Sequence, residues 1–388
     1  MSKPFNRTLL KFAILCVAVQ DIGAGAATPA LANMIAAFPN VSPETVMMTS
    51  SIPSLCLVIF SFVYSKLTEY LNKKQIWYIG AALFLIGGIA PAFLDNIYAI
   101  LAMRFLLGIA VGFFIPMVTD LVVDFFEEGP ERQNMIGWGV AVASAGGIMF
   151  TLLGGFLAVG DWHNCFYAYI VSVIFFLVTA IFLPTPEKKK KVANSKVKVK
   201  MPAIVYIHSI VFALYNLFLF AIVTNLAIVI VGEQLGNAGS VGVVLTFYTV
   251  GSFISSLIYG KLTQVLKGYL YPMAILVTAI GFFINLVPGT LTTLIAGTVV
   301  IGIGMGCSNP SAYNFNASRA PLGASTLGIS LAVVFMGIGQ FIQPWVFAFI
   351  MKTLGLADGR PAFLVAGAAI VICSVIMLIL NKNKLITE

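Results

Sequence analysis

Ser65-Lys66-Leu67-Thr68-Glu69-Tyr70-Leu71-Asn72-Lys73 returns about 195 residues later as Gly260-Lys261-Leu262-Thr263-Gln264-Val265-Leu266-Lys267-Gly268, with four of nine positions identical. Downstream of each copy, the spacing Gly108-x3-Gly112-x3-Pro116 recurs as Gly302-x3-Gly306-x3-Pro310. Each copy lies inside or just after a long apolar run. A chain built from two similar apolar halves predicts a membrane carrier, with its site expected at the seam between the repeats.

Working outward, the whole chain is 60% hydrophobic and 9% charged, far below the roughly 25% charge of a soluble domain. Its apolar residues fall into twelve runs, each long enough to cross a hydrocarbon layer of ~30 Å. They cover roughly 10–36, 45–66, 75–94, 97–123, 136–159, 164–184, 203–231, 239–260, 270–288, 291–313, 325–350 and 361–381. Only Pro288 and Gly289 separate the ninth from the tenth. The spans must be helical, because lipid offers no partner to an open backbone. The net charge of +8 could suit nucleic acid, but its placement points elsewhere. With twelve spans and an internal N-terminus, 19 of the 22 Lys and Arg residues fall on the inner side, the positive-inside pattern.

The expected fold is an all-α membrane protein, with twelve transmembrane helices forming two six-helix bundles related by a pseudo-two-fold repeat. The N-terminal bundle takes residues 1–184 and the C-terminal bundle residues 203–388. Residues 185–202, with Lys188-Lys189-Lys190-Lys191 and three more lysines, form a basic cytoplasmic linker kept solvated by like-charge repulsion. Ala30-Leu31-Ala32 after Lys3, Arg7 and Lys11 imitates a signal-peptidase site. The apolar run is longer than a signal segment, so the first span is expected to be retained. Gly108-x3-Gly112 and Gly302-x3-Gly306 read as close-packing devices. Gly302-x-Gly304-x-Gly306 has no preceding strand and Gly260-Lys261 lacks the rest of a phosphate loop, so neither marks a nucleotide site.

In order along the chain, these features resemble the major facilitator superfamily. Ser65 to Lys74 is similar to its signature between helices 2 and 3, G-x-L-x-D-R-x-G-R-K, with Ser65, Glu69 and Asn72 at the first glycine, the aspartate and the second glycine. Arg104-x3-Gly108-x3-Gly112 resembles the helix-4 motif. Pro29 with the run to Phe38, Glu131-Arg132, Asp161-Trp162 and Leu183-Pro184-Thr185-Pro186 match as well. Proton-coupled drug and metabolite exporters are the most similar branch. Their helix-5 signature is met at Gly154-Gly155 but carries Phe150-Thr151 at its Gly-Pro positions, and His163 stands where arginine is usual. The resemblance implies export by proton antiport. Proton symport or uncoupled uptake of a small, partly apolar and potentially anionic metabolite stays open beside it.

The chemistry is expected at ionisable groups deep in the spans. Asp21 falls about 16 Å from the inner end of span 1, at 1.5 Å per residue, and Arg104 about 11 Å from the outer end of span 4. Their depths nearly agree, so they are expected to meet or to compete for one ligand. Burial favours a neutral carboxyl and a neighbouring guanidinium favours the charged one, so a ligand that drew Arg104 away would let Asp21 take a proton. At the repeat offset Asp21 corresponds to Asn216 and Gln20 to Tyr215. Spans 1, 4, 7 and 10 line the cavity in the resembling family, which implies a substrate contact from Asn216. The repeat, helical spacing and polar residues within the spans add Gln20, Thr28, Tyr215, Asn225, Asn309, Tyr313 and, in span 11, Gln340, with Asn316 and Gln343 nearby. Family likeness also implies a conformational latch of Asp120 and Asp124 with Lys73 and Lys74, near Glu69. The five cysteines lack metal-ligand spacing, and His163 and His208 lack a nucleophile or metal cluster. No enzyme activity, metal, cofactor or nucleic acid is therefore expected. The expected partners are a small-molecule substrate, protons and membrane lipid, with a monomer sufficient and both termini cytoplasmic in the cell membrane.

Overall fold

The computed structural model describes residues 6–20, 23–127, 129–185, 200–287, 289–321, 324–356 and 359–385. Most of the expected basic linker, and Asp21, lie outside these. Among the described residues every regular element is helical, with no strand. Two compact units form, from the described parts of 1–38 with 52–195 and of 39–51 with 196–388.

The first unit contains α1 (Arg7–Ala18), a 3-10 segment (Gly23–Ala30), α2 (Leu31–Ala37), α3 (Pro43–Tyr70, its first turns belonging to the second unit), α4 (Lys73–Ile89), α5 (Ile97–Phe125) and α6 (Pro130–Leu157). A second long 3-10 segment, Trp162–Val171, leads into α7 (Ser172–Phe182). The second unit contains α8 (Ala203–Leu219), α9 (Ala221–Gly232), α10 (Ala238–Leu266), α11 (Leu270–Ile284), α12 (Leu291–Arg319), α13 (Ser325–Thr353) and α14 (Arg360–Leu385).

Polar residues at the helix ends explain several boundaries. Asn96 Oδ1 accepts the Tyr98 amide at 2.9 Å at the start of α5, supplying an acceptor for an orphan helical N–H. Asn72, where the resembling family carries glycine, begins α4, and its amide donates to Gln75 Oε1 at 3.0 Å. Asp161 accepts the His163 amide at 2.9 Å. That backbone bond, with the His163 ring, holds its carboxyl below the usual range.

Eleven helical stretches among the described residues are long and apolar enough to cross a membrane. One of them, Ala238–Ile284, has 47 residues, or ~70 Å at 1.5 Å per residue. It holds the expected eighth and ninth spans. Between α10 and α11 only a 3-10 turn, Lys267–Tyr269, intervenes, and Lys267 takes the left-handed φ of 46° that turns the chain. The expected ninth and tenth spans separate between Ile284 and Leu291. Phe93, Leu257 and Phe349 are 70–72% exposed, and so large an apolar surface suits lipid rather than water.

Inside the units, small residues set the helix spacing. A methyl group at Gly302 would meet the Tyr248 carbonyl and one at Gly306 the Ser252 carbonyl, so α12 lies directly against α10. Gly108 approaches Cys56 of α3, at 2.6 Å for an added Cβ. These are the close approaches that small-x3-small spacing permits.

Candidate functional site

Span 1 is not one α-helix. The sequence Gly23-Ala24-Gly25-Ala26-Ala27-Thr28-Pro29 explains the break: Pro29 has no amide to donate back, and the two glycines weaken the helix. The backbone continues as a 3-10 segment whose Ala26 carbonyl meets Gly154 of α6, while Gly146 of α6 meets the Val19 carbonyl at the end of α1.

Arg104 of α5 points at this segment and is fully buried. Its Nη1 donates to the Tyr169 hydroxyl at 2.7 Å, and its Nη2 donates to the Ala24 carbonyl. Tyr169 is packed between rings, stacked on Phe150 at 5.5 Å and edge-on to Phe84 at 5.6 Å. Gly88 leaves room for it, since an added Cβ would lie 2.6 Å from Tyr169 Cγ. A buried cation 5.7 Å from the Tyr169 ring centroid and held by fixed acceptors has little freedom and is shielded from water, so any charge brought near it is felt strongly. Tyr169 was not evident from sequence; it lies 65 residues from Arg104 in no local motif. Gln20 and Thr28 are also buried in this unit, and Gln20 Nε2 donates to the Cys16 carbonyl at 3.4 Å.

At the far end of α5, Lys73 Nζ lies 2.6 Å from Asp124 Oδ2 and 3.4 Å from Asp120 Oδ2. Tyr64 adds a hydroxyl bond of 3.2 Å to Asp120. Two of the residues expected here have other partners. Lys74 donates to the Leu183 carbonyl at 2.6 Å, and Glu69 pairs with Lys66 one turn away at 3.0 Å.

In the second unit the residues expected at a cavity divide into groups. Asn216 and Gln340 come together, Gln340 Nε2 donating to Asn216 Oδ1 at 3.5 Å. Tyr215 turns inward, its hydroxyl 2.7 Å from Ser308 Oγ and 3.0 Å from Thr278 Oγ1. Asn225 donates to Ala221 and to Thr224, and Thr224 reaches Gln343 Oε1 at 3.3 Å. Asn309 Oδ1 is buried with no hydrogen-bond partner among the described residues. Tyr313 is half-buried and its hydroxyl contacts Met336.

His208 is the group the sequence concealed. It is fully buried, with Nδ1 2.6 Å from Asn316 Oδ1 and Nε2 2.9 Å from the Tyr271 hydroxyl. Asn316 in turn donates to Ser209 and to the Gly328 carbonyl. Asn316 thus belongs to a closed network joining α8, α11, α12 and α13. Its members lie 63 and 108 residues from the histidine, so no spacing rule connects them. Glu233 and Arg360 form another unanticipated pair: Arg360 Nε and Nη2 grip the carboxylate at 2.6–2.9 Å while Nη1 holds the Asn285 and Val287 carbonyls.

Among the described residues no cluster could hold a metal ion. A family model described as Major Facilitator Superfamily matches residues 13–230 and again 209–386. The chain is 24% identical over 307 residues to the MFS-type transporter YceJ of Bacillus subtilis, covering 72% of this chain and 77% of that one. It is also 24% identical over 307 residues to the quinolone resistance protein NorA of Staphylococcus aureus, covering 75% and 76%. A crystal structure of a point mutant of the nucleoside transporter NupG superposes with a TM-score of 0.78 at 12% identity, over 96% of this chain and 99% of that one.

Proposed function

Because the chain belongs to the Major Facilitator Superfamily, we propose that it moves a small organic molecule across the cytoplasmic membrane by alternating access, exporting it in exchange for protons. Secondary transport rather than enzymatic turnover is common to the family and its relatives. The apolar helical stretches make the chain a multi-pass protein of the cell membrane. The proposed fold has twelve spans, the 47-residue stretch being divided at Lys267–Tyr269, with six before the basic linker and six after it. Both termini then face the cytoplasm, as the charge distribution requires.

The observation that carries the proton coupling is the placement of Arg104. Its guanidinium is bonded to the Ala24 carbonyl in the broken part of span 1, and Ala24 is three residues beyond Asp21 in sequence. A carboxyl away from a guanidinium can hold a proton, and one that pairs with it is held charged and gives the proton up. In antiport the ligand favours the paired state and expels the proton, whereas a ligand that drew Arg104 away would load it, as in symport. Asp21 is the proposed proton carrier, with Arg104 controlling it. Likeness to NorA over three quarters of both chains favours export. A second reading, uptake by symport or facilitated diffusion, is favoured by Phe150-Thr151 at the place of the exporter Gly-Pro, since Phe150 is engaged in stacking on Tyr169.

Proton release from purified protein in weak buffer tests the assignment, with fluoroquinolones and small anionic metabolites as probes. The expected result is release from wild type and none from Asp21→Asn, with ligand binding retained. Binding without release in either protein would remove Asp21 from the mechanism and favour an uncoupled facilitator.

Lys73, Asp120 and Asp124 are proposed as the latch, closed when these charges are joined. Asp124→Lys replaces a 2.6 Å attraction by repulsion, and is expected to shift the balance between the two access states by about 1–3 kcal/mol, the usual range of coupling energies. Accessibility of single introduced cysteines to a membrane-impermeant thiol reagent reads that balance. Unchanged labelling in Asp124→Lys would leave the cluster a purely structural one.

A further inference from the structure

The repeated stretches Ser65–Lys73 and Gly260–Gly268 stand in different chemistry in the two halves. In the first unit, Lys73 is neutralised by Asp120 and Asp124 at the end of α5. The glycine spacing maps α5 onto α12 at an offset of 194, which places Asn314 at the position of Asp120 and Ser318 at that of Asp124. Tyr259 corresponds to Tyr64 at 195, and at that offset Lys267 falls one position before the counterpart of Lys73. The tyrosine is repeated and a cation recurs one position away; the acids are not repeated. Indeed no acidic residue occurs anywhere between Glu233 and Asp358.

Where the first unit has its ion pairs, the second has a pocket of about 410 Å³, within the range of small-ligand sites. Lys267, Arg319, Asn314, Ser318, Tyr259 and Ser311 are among the residues lining it, and none of its lining residues is acidic. The Arg319 guanidinium stacks on the Phe315 ring at 3.6 Å, which fixes its plane. Lys267 stands at a left-handed φ of 46°, a conformation that favours glycine, although glycine follows at the next position.

We propose that this pocket binds a phosphate group, either of a membrane phospholipid headgroup or of a soluble phosphate ester. Two cations with several hydroxyl and amide donors suit a tetrahedral oxyanion, which can accept from many directions. A planar guanidinium also pairs with phosphate through two parallel hydrogen bonds. A simple carboxylate would use fewer of these donors. The pocket sits at the end of α12, where a spanning helix reaches headgroup level; its cytoplasmic placement rests on the orientation proposed above, while the binding does not. Occupancy has a physical route inward. Tyr271 lines the pocket and bonds His208 at 2.9 Å, and Phe315 lies between Arg319 and the His208 ring, 4.2 Å from the latter.

The test uses delipidated full-length protein, titrated with inorganic phosphate at constant ionic strength and, separately, with phosphatidylglycerol or phosphatidylcholine followed by native mass spectrometry. Wild type and Lys261→Ala, whose cation lies outside the pocket, are expected to bind alike. Arg319→Gln and Lys267→Ala should bind at least about tenfold more weakly, the scale of one charge-assisted hydrogen bond. The double variant N314D/S318D restores the acids of the first unit, so it is expected to remain folded, gain thermal stability and lose binding. Phosphatidylglycerol retained against millimolar phosphate identifies a headgroup site; displacement by phosphate, or phosphate binding alone, identifies a soluble ester. No binding of either probe, or equal binding by wild type and N314D/S318D, overturns the proposal. None of these readouts depends on transport or on Asp21, so its failure and that of the coupling reading are separate.

Discussion

Arg104→Ala is expected to lower ligand-driven transport about 100-fold, equivalent to roughly 2.7 kcal/mol. The side chain is fully buried, and its removal takes donors from the Tyr169 hydroxyl and from the Ala24 carbonyl. An acceptor left buried without a donor costs about 1–3 kcal/mol, so part of the loss will appear as lower thermal stability. Arg104→Lys separates the two effects. It keeps the charge, but an ammonium is a point donor and does not reproduce the fork that reaches two acceptors on different elements. Its thermal stability should lie between those of wild type and Arg104→Ala, while ligand-driven proton release should be reduced nearly as far as in Arg104→Ala. Tyr169→Phe removes one acceptor of the guanidinium and keeps the ring packing, so a milder reduction is expected. Proton release at wild-type level in Arg104→Lys and Tyr169→Phe would mean that only a fixed charge is needed at this position.

The difference between what the sequence discloses and what it hides follows from distance along the chain. Membrane spans are local: about twenty apolar residues announce themselves, and the charges between them fix the sides. The Lys73 cluster was legible for a related reason, because a family signature places its members on known helices. The break in span 1 is local too, written in Gly23, Gly25 and Pro29, yet apolar content alone reads 10–36 as a continuous run. Hydropathy does not distinguish an α-helix from a 3-10 segment that a neighbouring helix supports. The His208 network and the Tyr169 cage are nonlocal, and periodicity carries no information about partners on other helices. Tyr215 shows the limit of the repeat as a guide. Its correspondence to Gln20 suggested a cavity position, but Ser308 and Thr278 hold its hydroxyl within the second unit.

The break in span 1 also dictates which small residues the first unit can least tolerate losing. Gly146 and Gly154 lie eight residues apart on α6, so they share one face, and both abut backbone carbonyls of span 1. A methyl group there meets main-chain atoms, the end of α1 at Gly146 and the 3-10 segment at Gly154, which yield only if the backbone of span 1 moves. Overpacking of this kind costs about 1–3 kcal/mol per site, and Gly146→Ala with Gly154→Ala is expected to approach the sum. The displacement would pull Ala24 from Arg104, so proton release should fall further than stability alone predicts. Gly137, on the same helix, has open space where its Cβ would be. There the substitution to alanine removes a helix-weakening glycine, worth roughly 0.5–1 kcal/mol in the opposite direction. Thermal unfolding in detergent beside ligand-driven proton release decides the matter. Should Gly154→Ala behave like Gly137→Ala in both measurements, span 1 is free to shift on α6, and the rigid seating of Ala24 against Arg104 is not what controls the proton.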